Sequence, residues 1–299
     1  MRNRQDEQPS PDSTGLSRRR FFKRAAWGAG PLAVGLGVYA WQIEPHWIEV
    51  TTVELPVRGL GVEFDGYRVV HVSDLHTGNQ VSTSYLRTCM DRINALDPDL
   101  IVITGDLITG GLDDQIATAA GLVARLEARD GTLVSLGNHD YHSWAPGRER
   151  LDVADRLVAA VNDVGARALR NECRVIRRGE SAVNVVGLDE LLVDRCDPEP
   201  AFASIDQGKP VIALSHNPES MGILRHWPVD VVLSGHTHGG QVCLPIIGPL
   251  HLPIDDRRYA SGLVEEGDRR LYVTRGLGHL LQVRLGCRPE IAVHHLRRA

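Results

Sequence analysis

The chain has 299 residues, 42% apolar and 24% charged, an ordinary globular balance that excludes a disordered, collagen-like or low-complexity protein. Its net charge of −5 is unevenly spread: residues 1–24 carry seven Lys/Arg against three acids, +4, and the rest carries −9, which argues against general nucleic-acid binding. Five scattered cysteines without a CxxC pair argue against a disulfide scaffold and a thiolate zinc site, whereas thirteen histidines are a high count.

Residues 1–16 are polar and rich in Pro, Ser and Asp, the composition of disordered chain. Ser17-Arg18-Arg19-Arg20-Phe21-Phe22-Lys23 follows, and then an uncharged run over 25–43 with four glycines and Pro31. A twin arginine, bulky apolar residues and a weakly hydrophobic run in this order resemble a Tat export signal. The resemblance implies the Tat machinery as a partner and a location outside the cytoplasm. Val38-Tyr39-Ala40 offers a small-residue cleavage site. The alternative is an uncleaved anchor, because the run of 19 residues, bracketed by Trp27, Trp41 and Trp47, approaches the ~20 that span a bilayer. Residues 1–45 thus read as signal or membrane anchor, and 46–299 as one folded domain.

From about residue 50 the pattern is alternating α/β. Short β-branched runs at 67–72, 100–104, 132–136, 182–186, 211–214 and 229–233 predict strands buried on both faces. Apolar spacings of three and four predict helices over 82–96, 112–129 and 151–164.

Five of the predicted strands end in side chains that carry chemistry: Ser73-Asp74-Leu75-His76, Gly105-Asp106, Gly137-Asn138-His139-Asp140, Ser215-His216-Asn217 and Gly235-His236-Thr237-His238. The C-terminal strand ends of an open α/β sheet are where ligands bind. Carboxylate, amide oxygen and imidazole form a mixed O/N donor set suited to Mn, Fe or Zn. Asp74 and His76, like His236 and His238, are i, i+2 pairs that extended backbone turns to one side. Seven donors, Asp74, His76, Asp106, Asn138, His216, His236 and His238, exceed one tetrahedral site and match two divalent transition metal ions sharing a carboxylate. The other histidines, His139 apart, read as packing or surface residues.

Asp-x-His, Gly-Asp, Gly-Asn-His-Asp, His and Gly-His-x-His, in that order, resemble the signature of calcineurin-like metallophosphoesterases. The family implies a four-layer αββα sandwich with a two-metal site at the strand ends. It places Asp74, His76, Asp106 and His238 on one metal and Asp106, Asn138, His216 and His236 on the other, with Asp106 bridging. His139 is then the catalytic residue near the metals without ligating them, protonating the leaving group or polarising the phosphoryl oxygen, and Asp140 either orients its ring or is structural. Leu214-Ser215-His216-Asn217-Pro218-Glu219, Gly239-Gly240-Gln241 and Arg275-Gly276-Leu277-Gly278 resemble a bacterial phosphodiesterase subgroup, often exported. The implied activity is phosphodiester hydrolysis by a hydroxide between two cations, on a substrate derived from lipid or cell envelope. Alternatives are hydrolysis of the pyrophosphate of a lipid-linked or nucleotide-sugar substrate such as UDP-2,3-diacylglucosamine, a protein phosphatase, and a non-catalytic scaffold.

Overall fold

The computed structural model describes residue 30 and residues 32–110, 112–143 and 145–299. The twin-arginine motif and the run's first residues, Trp27 included, lie outside them. The chain divides into a unit ending at Tyr39 and a compact unit, Ala40–Ala299. In the first, residues 32–38 are helical. Among the described residues no helix is long and apolar enough to cross a membrane.

The compact unit begins with β1 (Glu49–Val57) and β2 (Arg68–Val72). Then α1 (Thr83–Asn94), β3 (Leu100–Thr104), α2 (Asp113–Val123), β4 (Thr132–Ser135), α3 (Leu151–Asp163) and β5 (Arg167–Ala168) alternate as the apolar runs predict. The second half contains β6 (Glu172–Arg178), β7 (Ser181–Gly187), α4 (Pro198–Ala203), β8 (Val211–Leu214), α5 (Met221–Leu224) and β9 (Val231–Ser234). A short hairpin, β10 (Cys243–Leu244) and β11 (Gly248–Pro249), precedes β12 (Gly262–Glu266), β13 (Arg269–Val273) and β14 (Glu290–Arg298).

The strands form two six-stranded sheets, ordered β1-β14-β2-β3-β4-β5 and β12-β13-β9-β8-β7-β6. β2, β3 and β4 run parallel, as do β7, β8 and β9, so their C-terminal ends gather at one edge of each sheet. Leu55, Phe64, Val69, Val102, Val185, Ile212, Leu233 and Tyr272 fill the space between the sheets. α1 buries Leu86, Cys89, Met90 and Ile93, and α3 buries Val153, Ala154, Leu157 and Val161, against the outer face of the first sheet. Phe202, Met221 and Leu224 of α4 and α5 cover the outer face of the second. Three apolar cores between four layers make the αββα sandwich that the motif order implied.

The helix expected over 112–129 stops at Val123. There the bonds tighten to i→i−3, Arg125 N to Leu122 O and Leu126 N to Val123 O. The Asn94 side chain then takes over, donating to Arg125 O at 2.7 Å and accepting from Glu127 N at 3.0 Å.

Candidate metal centre

The five chemistry-bearing strand ends converge. Asp74 and His76 follow β2, Asp106 follows β3, Asn138 and His139 follow β4, His216 follows β8, and His236 and His238 follow β9; all eight side chains are buried. They form two overlapping groups. His238 Nε2 lies 3.3 Å from Asp74 Oδ1 and 3.2 Å from His76 Nε2. His216 Nε2 lies 3.2 Å from Asp106 Oδ2 and 3.2 Å from His236 Nδ1. Asp106 Oδ2 is also 3.5 Å from His76 Nε2, so one carboxylate oxygen adjoins both groups. Donor atoms held by one cation through bonds of ~2.0–2.2 Å stand about 3.0–3.5 Å apart, the spacing found here.

The two aspartates are oriented alike. Asp74 Oδ2 accepts the His236 N–H at 3.2 Å and Asp106 Oδ1 accepts the His139 N–H at 2.9 Å, so backbone holds one oxygen of each and the other faces the cluster. Asp74 Oδ1 and Asn138 Oδ1 are buried without a hydrogen-bond partner. A buried lone pair left unmatched costs about 1–3 kcal/mol, and convergent lone pairs around carboxylate charge fit divalent cations. The donor set contains no sulfur.

Electrostatics leave three of the imidazoles neutral and the Asp106 carboxyl ionised. Burial pushes His76 and His236 down to about 3 and holds His238 well below its ordinary value, so these imidazoles are neutral. At His216 burial opposes the charge, but the Asp106 carboxylate outweighs it and raises the pKa well above normal. Burial raises Asp106, yet His216 and His139 overcome it and hold the carboxyl ionised. His216 Nδ1 donates to Thr104 O at 2.7 Å, which fixes the ring with Nε2 on the Asp106 side.

The backbone differs from expectation. Asp74, His76, Asp106, His236 and His238 have φ of 56°, 48°, 54°, 71° and 50°. The two i, i+2 pairs therefore converge through left-handed kinks beyond the strand ends, not through the alternation of extended chain. Such conformations are costly for residues with a Cβ, and their concentration here is the strain typical of a functional site. Gly105, at φ +86°, allows a close approach: a Cβ there would stand 2.6 Å from His216 Nδ1.

His139 adjoins the first group, its ring edge-on to His76 at 4.8 Å and its Nδ1 3.1 Å from Thr109 O. Asp140 does not orient that ring. Its Oδ1 accepts from Leu107 N and Ile108 N at 2.9 and 3.1 Å and its Oδ2 from Gly137 N at 2.9 Å, so it ties two ligand loops together. Arg284 is a support that the sequence reading missed. Fully buried, it donates to the carbonyls of Cys287, Arg275, Gly276 and Gly278, fixing the loop whose Gly278 N–H reaches Asp74 O at 2.7 Å. The one visible signal was a lone charge at the end of the uncharged run 276–283. Glu190, buried after β7 with burial pushing it up to about 7, was also missed; nothing in its local sequence marks it.

Asp106, Asn138, His139, His236 and His238 line the floor of a cleft of about 480 Å³ whose walls include Val242, Leu250, Pro253, Leu280, Leu281 and Val283. Residues 67–240, from β2 through the last candidate ligand, match the calcineurin-like phosphoesterase family. The chain belongs to that family. As a metallophosphoesterase it is a hydrolase of phosphoric esters. It is 34% identical over 288 residues to the metallophosphoesterase YkuE of Bacillus subtilis, covering 94% of this chain and 98% of that one. It is 30% identical over 283 residues to the phosphodiesterase YaeI of Escherichia coli, covering 94% and 99%. To the UDP-2,3-diacylglucosamine pyrophosphatase LpxG of Chlamydia trachomatis it is 29% identical over 301 residues, covering 86% and 91%.

Proposed function

We propose that this metallophosphoesterase is a phosphodiesterase working on two divalent cations outside the cytoplasm. Asp74, His76, Asp106 and His238 would hold one cation, and Asp106, Asn138, His216 and His236 the other. The observation that carries the reading is the Asp106 carboxylate oxygen, set 3.5 Å from His76 Nε2 on one side and 3.2 Å from His216 Nε2 on the other. Mn, Fe and Zn suit the donor set, and when bound they supply Lewis acidity at phosphoryl oxygens and a nucleophile at neutral pH.

The chain's own residues do the rest. His139, with Nδ1 donating to Thr109 O, uses Nε2 to protonate the leaving oxygen. Asp140 keeps the loops of Asp106 and Asn138 at fixed separation through its three backbone hydrogen bonds. The apolar walls of the cleft accept a substituent that the metal centre does not touch, which favours a diester carrying an apolar group. The LpxG relative supports a second reading, cleavage of a pyrophosphate in a lipid-linked or nucleotide-sugar substrate. Residues 1–45 act as Tat signal or anchor, and 46–299 form the catalytic domain.

A rate comparison with added Mn tests the activity. Bis-p-nitrophenyl phosphate should be cleaved faster than p-nitrophenyl phosphate or a nucleotide sugar, and a chelator should stop all three. Preference for the monoester or the nucleotide sugar would replace the diesterase reading, and activity that survives chelation would reject metal dependence. Changing Arg18 and Arg19 together to Lys should leave the protein in the cytoplasm; unchanged export would reject the Tat route.

A further inference from the structure

In a chain that is 24% charged, residues 231–254 and 276–283 contain no Asp, Glu, Lys or Arg, and neither do residues 25–43. The fold brings parts of all three stretches together at the mouth of the cleft. Arg284 N donates to Ala40 O at 2.9 Å, and Gln282 Nε2 to Trp41 O at 3.0 Å. Gln241 Nε2 donates to the carbonyls of Leu281 and Val283, each at 2.9 Å. Cys243 N reaches Leu285 O at 2.7 Å, and Leu250 N reaches Val242 O at 3.0 Å. The β10–β11 hairpin, the 280–283 loop and the turn at residues 40–43 therefore form one hydrogen-bonded rim.

This rim presents apolar side chains outward. Trp41 is 54% exposed, Ile43 50%, Ile247 66%, Leu250 56% and Leu281 70%, and Ile246 is fully exposed. Soluble surfaces carry such residues singly, and a contiguous group marks a surface with a partner. Ile246 adds an independent observation. At the hairpin tip it has φ +72°, a conformation unfavourable for a β-branched residue, and its side chain packs against nothing that would justify it.

The occupant follows from where the chain enters. The uncharged run 25–43 ends in the rim itself, so any surface that receives this run lies within a few residues of the cleft mouth. A lipid surface accepts both the run and the rim, and Trp41 has the amphipathic ring that settles at the headgroup level. We propose that the rim made by the β10–β11 hairpin, the 280–283 loop and the turn at residues 40–43 docks on a lipid bilayer, so that the cleft opens at the membrane interface and takes its phosphoester from there. The source of the substrate rests on the phosphodiesterase reading; the docking does not.

Hydrogen exchange of the full-length chain, with and without vesicles of phosphatidylcholine and phosphatidylglycerol, tests this segment by segment. Vesicles should slow exchange at least about tenfold across residues 243–250 and 280–283. Ile246→Asp with Ile247→Asp should abolish that protection while hydrolysis of soluble bis-p-nitrophenyl phosphate stays within about twofold. Asp accepts positive φ more readily than Ile, so the hairpin keeps its shape. Protection confined to residues before 44 would mean that the leader alone binds, and would overturn the proposal. So would protection that grows with protein concentration without vesicles, which indicates a second copy, or a variant that keeps rim protection or loses soluble activity. If the parent protects the rim but cleaves no soluble diester, the activity reading fails and the docking stands.

Discussion

Two clusters of buried imidazoles lie at neighbouring positions along β2. His71, within the strand, faces His294 of β14, with 3.4 Å between His294 Nε2 and His71 Nδ1. His76, just beyond the strand, faces His238 at 3.2 Å. Burial drives His71, His294, His76 and His238 alike toward the neutral form. The surroundings separate them. His71 Nε2 meets the Thr104 hydroxyl at 2.8 Å, and Tyr272 packs edge-on against His294 at 4.6 Å, both on regular strand backbone. In the centre, carboxylates interleave with the rings, lone pairs converge, and the backbone is left-handed at five donors. Burial and histidine density do not make a site; convergent lone pairs on a carboxylate frame do.

The largest expected effect falls on the shared carboxylate. Asp106→Asn keeps the shape but removes charge from both groups, so hydrolysis of every substrate should be abolished while the circular dichroism spectrum is unchanged. A variant with parental rate would reduce the centre to another packed cluster. His139→Ala should come next, with a loss of roughly 10²–10⁴ in rate and full metal content. The loss should be greatest for alkoxide leaving groups and least for nitrophenolate, which departs without a proton. Equal slowing of all substrates would deny His139 the role of acid.

The smallest effect on activity belongs to the packed cluster. His294→Gln should leave hydrolysis within about twofold and change only the pH dependence of stability. Burial holds native His294 at about 3, whereas an unfolded histidine binds its proton near 6.5. Below pH 6.5 the unfolded chain therefore binds more protons, and stability falls as pH drops toward 3. One such group contributes about 1.4 kcal/mol per pH unit, which the substitution should remove from the slope of urea-unfolding free energy between pH 6 and 4.5. An unaltered slope would mean that His294 is not buried neutral.

The contrast also explains what the sequence allowed one to read. Strands buried on both faces, β3 and β8 among them, announce themselves as uninterrupted β-branched runs, and the donors follow at their ends. β1 and β6 were not legible, because each alternates exposed and covered residues at a sheet edge and reads as charged chain. β14 was missed although it lies between β1 and β2, because Glu290, His294, His295, Arg297 and Arg298 dilute its apolar face. The site's residue types were visible in local motifs, but its left-handed backbone was not, since it depends on contacts from distant loops. Arg284 acts through four carbonyls that only the fold assembles.

The central claim is that one aspartate joins two cation sites. Metal analysis with electron paramagnetic resonance of the Mn-loaded full-length protein tests it most directly. The account predicts two Mn per chain with a spin-coupled spectrum, as ions ~3.5–4 Å apart give, and loss of the coupling in Asp106→Asn. One Mn per chain, or two that give only uncoupled six-line signals, would contradict it.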